Sequence, residues 1–360
     1  MGQLHYLWLR RHQAFDSYVE AIIIVLQVLM TLWKLWIFTD SQDIMHDMTQ
    51  SVQNSQILED LEIFNLDLKD KHKIINEICQ ILKQSWMDIK MQLLVLRMTV
   101  FAICSWYSGC SLVINIRNFW FNSLEGNFYS QFPFPASFPI WYGHGHRLLA
   151  FIVEYFIITM EIYLATVASI TYSAIFSVGS VHCLTLLRVL RKLISYSTTD
   201  HVPPEVRVKY MEVCIKLHQE ILKFCNELNS LYKMSTLGLF AECCLVICML
   251  TFKASLDVGD EKFFAVKVAL YLSAALYELI VFCINGQRIS SESDLLPFAI
   301  YDCLWYNEDS QFQFLTQIMI LRSNHSIAMD AGGLARMSNV TLSTIIRSSV
   351  SYFLFLRNCM

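Results

Sequence analysis

The chain has 360 residues, 55% of them hydrophobic and only 16% charged, with a mean hydropathy of +0.43. Soluble domains sit near about 45–50% apolar and about 25% charged, so the excess apolar surface points to lipid. A formal net charge of -4 excludes the basic footprint of a nucleic-acid-binding protein.

The N-terminus, Met1-Gly2-Gln3-Leu4 with Arg10 and Arg11, is neither a signal peptide nor a myristoylation signal. A helix needs about 20 mostly apolar residues to cross a bilayer core of roughly 30 Å. Residues 19–38, 93–116, 148–178, 237–256 and 263–284 meet this. Residues 340–356, laced with hydroxyls, follow a short apolar piece at 312–321. The expectation is an all-α, polytopic membrane helix bundle with six visible spans, the last a broken helix. Segment by segment, residues 1–178 hold the first three spans and an outer aromatic loop at 119–145. Residues 179–236 form a cytosolic helical anchor, 237–285 two further spans, 286–334 a cytosolic anchor loop with a short helix, and 335–360 the last span.

Lys and Arg in the loops set the orientation. Lys69, Lys71, Lys73, Lys83 and Lys90 follow span one, and Arg188, Arg191, Lys192, Arg207 and Lys209 follow span three. These loops share one side by parity, which we assign to the cytosol. Arg10 and Arg11 then fall outside, against the rule, unless a span is missing upstream. The loop at 119–145 carries Phe132-Pro133-Phe134-Pro135 and Trp141-Tyr142, and reads as a lid or as an ordinary surface loop. His201-Val202-Pro203-Pro204-Glu205 breaks the anchor segment.

Cysteines at 104, 110, 183, 243, 244, 248 and 283 lie inside apolar stretches, which argues against a disulfide framework. No spacing suits a metal, no constellation suits an enzyme, and no cofactor is implied. Lys34 and Arg97 sit near cytosolic ends and are expected to snorkel. Glu154, Glu161 and Glu278 either line a wet cavity or are buried, hydrogen-bonded carboxyls.

The last span is the most informative. Thr341, Thr344, Ser348, Ser351, Phe355 and Asn358 recur every three or four residues and so share a helical face. That stripe is either an interhelical seam or a pore wall, with Phe355 as an apolar gating ring. A pore wall requires a ring of subunits. Ala331-Gly332-Gly333 permits either a turn or an unwound break ahead of it.

The C-terminal third ends in Ser348 to Arg357, closing Ser351-Tyr352-Phe353-Leu354-Phe355-Leu356-Arg357. Ahead of it come His218-Gln219-Glu220-Ile221-Leu222, Gly286, Ala299, Tyr301, Trp305, Met319, Arg322-Ser323 and Ala331-Gly332-Gly333. In these residues, taken in order, the chain resembles the insect odorant receptors. Gustatory receptors usually show a Gln-Phe near the end of the last span, absent here. Neither Asp-Arg-Tyr nor Asn-Pro-x-x-Tyr of G-protein-coupled receptors occurs. The family has seven spans, and span one here looks like the family's second, so the first is expected to be missing.

The resemblance implies a tuning subunit that joins a shared co-receptor in a heterotetramer, in the plasma membrane of an olfactory neuron dendrite. It implies a cation pore lined by the last helix, with Thr344, Ser348, Ser351, Phe355 and Asn358 facing it. A small volatile odorant would bind in the outer half of the bundle. Candidates are Ile22, Leu26, Tyr107, Cys110, Ile114, Phe151, Tyr155, Ile158, Tyr271 and Ala275, each of which could equally be packing or lipid contact. The alternatives are a gustatory-type channel, or a transporter using Glu154, Glu161 and Glu278.

Overall fold

The computed structural model describes residues 15–53, 66, 68–122, 148–256 and 262–358. Helices dominate: α1 (Phe15–Asp40), α2 (Gln42–Gln53), α3 (Lys71–Asn122), α4 (Leu148–Tyr196), α5 (Arg207–Leu256) and α6 (Lys262–Asp294). Then come α7 (Leu296–Asp302), α8 (Ser310–Ser323), a hairpin of β1 (Asp330–Ala331) and β2 (Ala335–Arg336), and α9 (Asn339–Asn358). Residues 123–145 of the expected aromatic loop lie outside the described residues, as do Arg10 and Arg11.

Five described helices are long and apolar enough to cross a membrane: α1 and α3 to α6. At about 1.5 Å per residue, the 20 residues of α9 also match a bilayer core. Its hydroxyls and Arg347 keep it below the hydropathy of the other five. The chain is a multi-pass membrane helix bundle.

Several helices run well past their apolar stretch. Helix α3 is 52 residues long, α4 is 49 and α5 is 50. The anchor residues from Arg207 onward and the apolar stretch 237–256 are thus one uninterrupted helix. No proline interrupts them, so nothing in their sequences stops a helix at the lipid boundary. Helix α4 ends at Tyr196, and the next helix is entered through Pro203-Pro204, where Pro203 is extended (φ −58°, ψ 143°) and a single 3-10 turn leads into α5.

The extensions converge into a dense core at the basic end of the bundle. Leu186, Leu187, Leu190, Leu193 and Ile194 of α4 pack on Tyr210, Met211, Leu217 and Ile221 of α5, with Ile300 and Phe312 closing the far side. Helix α5 is the spine: it touches α1, α2, α4, α6, α8, β1 and α9. In its apolar window 61% of residues are buried, against 11% for α3 and 6% for α4, whose outer faces are left for lipid. Ion pairs tie the basic end together: Glu292 of α6 meets Arg191 at 2.5 Å and Arg188 at 3.4 Å, and Glu77 of α3 meets Lys192 at 2.9 Å.

Two expectations are corrected here. Cys183 and Cys225 form a disulfide across the α4–α5 contact, both sulfurs being buried. The pair is 42 residues apart in sequence, and only the antiparallel packing of α4 and α5 brings the two to facing positions. Lys34 does not snorkel; it is buried, with 2% of its surface exposed.

Candidate functional site

A cavity of about 160 Å³ opens where five of the spanning helices meet. Helix α1 contributes Ile24, Gln27 and Val28, and α3 contributes Leu96, Thr99, Val100 and Ile103. Helix α4 lines it from Glu161 to Ser173, α5 from Leu239 to Val246, and α6 from Tyr271 to Glu278. The spacing explains the convergence: Ile24, Gln27 and Val28 recur at i, i+3 and i+4, and so do Leu239, Glu242 and Cys243.

Much of the lining is apolar. Ile24 packs with Tyr107 and Ile158, and Val28, Ile103, Ile162 and Tyr271 surround them. Polar groups gather at the cavity too. The ammonium of Lys34 donates to Glu278 at 2.7 Å and to Ser169 at 3.3 Å, while the Ser173 hydroxyl donates to the same Glu278 oxygen at 2.8 Å. The Tyr271 hydroxyl donates to the Gln27 side-chain oxygen at 3.0 Å. Glu242 is 7% exposed, and among the described residues its Oε1 finds no hydrogen-bond donor.

Of the residues read from the sequence, Tyr271 and Ala275 line this cavity. Tyr107 and Ile158 sit just beyond it in the apolar cluster. Tyr155 lies farther along, donating to the Ser108 carbonyl at 2.6 Å and bonding Ser111 at 3.0 Å; its ring lies 6.0 Å from that of Phe151. Ile22 and Leu26 are half-buried on α1 but do not line the cavity, because they are two residues out of phase with Ile24 and Val28. Cys110 and Ile114 are half-buried farther along α3. Glu161 and Glu278 both reach the cavity, whereas Glu154 does not line it.

Sequence reasoning missed Glu242 and the polar role of α1. The signal was present: Gln27, Thr31 and Lys34 are spaced four and three apart in an otherwise apolar span. A lysine fixed on the buried face of a span demands an acidic partner on another.

The second candidate region is α9. Leu342, Ile345, Ser349 and Phe353 form its inward face, Ser349 being fully buried against the bundle. Thr344, Ser351, Phe355 and Asn358 are exposed, and Thr341 and Ser348 half-buried. Phe355 shows 65% of its surface. The hairpin ahead of α9 is pinned to α5: the Gly332 amide donates to the Lys233 carbonyl at 2.9 Å, and the Asp330 amide to Asn229 Oδ1 at 2.9 Å. Gly332 and Gly333 have φ of 63° and 73°, the left-handed region that a glycine pair occupies without strain.

A family model described as 7tm Odorant receptor matches residues 12–350. Odorant receptor 63a of Drosophila melanogaster is 26% identical over 336 residues, covering 92% of this chain and 80% of that protein. Odorant receptor 67b of the same organism is 26% identical over 346 residues, covering 96% and 82%. The structure of the insect olfactory receptor OR5 from Machilis hrabei in complex with eugenol superposes with a TM-score of 0.73 at 15% identity. That likeness, covering 99% of this chain and 85% of the other, is one of fold.

Proposed function

Because this chain belongs to the seven-transmembrane odorant receptor family, a family of receptors rather than enzymes, we propose that it is a subunit of an odorant-gated cation channel. It works in the plasma membrane of an olfactory neuron, in a heterotetramer with a co-receptor. The basic end faces the cytosol and anchors the subunits to one another, and the last helix lines the shared pore.

The observation that carries this reading is the face of α9. Thr344, Ser351, Phe355 and Asn358 are turned away from the bundle while Ser349 is turned into it. Hydroxyls and an amide on an outward face of a membrane helix are costly against lipid and well placed against water at an axis between subunits. The cavity supplies the ligand side: it is enclosed by five helices and mostly apolar, as sites for small volatiles are. Eugenol bound to the Machilis receptor supports a small aromatic volatile as the kind of occupant. A ligand opens the pore only by binding the open state more tightly than the closed one. Here the cavity wall and the α9 contact are both carried by α5, so contraction of one can reach the other.

Whole-cell current in cells expressing the chain with a co-receptor, across a panel of volatiles, tests the reading. Ligand-evoked current that requires both chains is the expected result. Cysteines placed at Thr344, Ser348 and Ser351 should be modified by a polar thiol reagent in the open state. Inert thiols in resting and stimulated channels would rule out α9 as the pore wall.

A further inference from the structure

We propose that the cavity selects small protonated amines, with Glu242 as the group that pairs with the ammonium. This rests on the odorant-receptor reading and names the chemistry of its ligand.

Glu161, Glu242 and Glu278 line the cavity, and among the described lining residues there is no Lys, Arg or His. One cation stands behind the wall, Lys34, and it is committed to Glu278 at 2.7 Å. Among the described residues the Lys34 ammonium donates to Glu278 and Ser169 and not to Glu242. Glu242 is therefore a carboxyl more than nine-tenths buried, lining the cavity, with an oxygen that no donor in the described protein satisfies. A buried carboxyl in that condition is costly, and an incoming N–H donor of positive charge relieves the cost. The same lining carries Ile24, Val28, Ile103 and Ile162, which suit a compact hydrocarbon tail. One small cavity thus offers a partner to both head and tail. An acid or a bare anion is rejected by the same carboxylates.

The test uses the full chain expressed with a co-receptor, and compares 2-phenylethylamine with its neutral counterpart 2-phenylethanol. The wild-type channel should respond to the amine at the lower concentration. Glu242→Gln should reduce that preference about tenfold or more, the scale of removing one partner from a desolvated charge pair. Glu242→Asp should keep it. A wild-type channel that prefers the alcohol, or a Glu242→Gln channel with undiminished preference for the amine, overturns the proposal and leaves the receptor reading intact. The wild-type comparison decides even if the variants fail to reach the surface. If no volatile of either class evokes current while a co-receptor agonist does, the receptor reading itself fails and the proposal with it.

Discussion

Lys34 is the side chain on which the polar wall of the cavity turns. It stacks 5.4 Å above the Tyr172 ring and donates to Glu278 and Ser169. Removing one partner from a buried ion pair leaves an uncompensated charge, a loss of about 3–5 kcal/mol. We predict that Lys34→Met lowers the thermal stability of the detergent-solubilised complex. The double substitution Lys34→Met, Glu278→Gln should recover most of it. A melting temperature unchanged by the single substitution would show that the pair contributes nothing. Tyr271→Phe is a gentler probe. It leaves the Gln27 side-chain oxygen without its donor, at a cost of about 1–3 kcal/mol when the site is closed. We predict a shift in the half-maximal concentration for some ligands of about fivefold to a hundredfold, with ion selectivity unchanged. Identical dose–response curves for every active ligand would take Tyr271 out of the site.

At the scale of elements, α6 lies close against Met337, a residue between the hairpin and α9. A Cβ on Gly286 would lie 2.4 Å from the Met337 Cβ and 2.6 Å from its carbonyl oxygen. Because one of the clashing atoms is backbone, Gly286→Ala must push the hairpin and α9 away from α6. We predict normal assembly but current reduced several-fold, read by surface biotinylation alongside whole-cell recording. Full current would mean that α9 can shift without consequence. The same elements show what was legible in the sequence. The start of α5 after Pro203-Pro204, and the glycine pair ahead of α9, follow from local backbone chemistry. The stripe on α9 follows from periodicity. The cavity does not: whether Ile22 or Ile24 faces it depends on the rotation of α1 in the bundle, and the phase of an all-apolar helix is not written in its own residues. Nor does the Cys183–Cys225 bridge, since pairing across two long helices needs their register.

For the whole molecule, the two ends of the bundle differ in kind. Residues around Leu190, Leu217 and Phe312 form one continuous packed core, while the apolar windows of α3 and α4 bury few of their residues. A pore made by a ring of such chains would rest on the packed end and move at the loose one. We predict that Phe355→Ala, expressed with a co-receptor, raises leak current or alters ion selectivity, as measured by reversal potentials under bi-ionic conditions. Unchanged leak and reversal potentials would place Phe355 off the permeation path.

The length of α5 has a consequence for how such a receptor changes over generations. Its two halves meet different demands: one is locked into the scaffold, the other forms a wall of the cavity. Sites far apart on one rod that share few neighbours combine their energetic effects almost independently, and Val246 packs with Ile23 in a cluster separate from the scaffold core. In the proposed site, substitutions at Val246 would alter chemical taste while the joints that hold the assembly stay untouched. New sensitivities can be tried in a lineage without first rebuilding the frame that carries them.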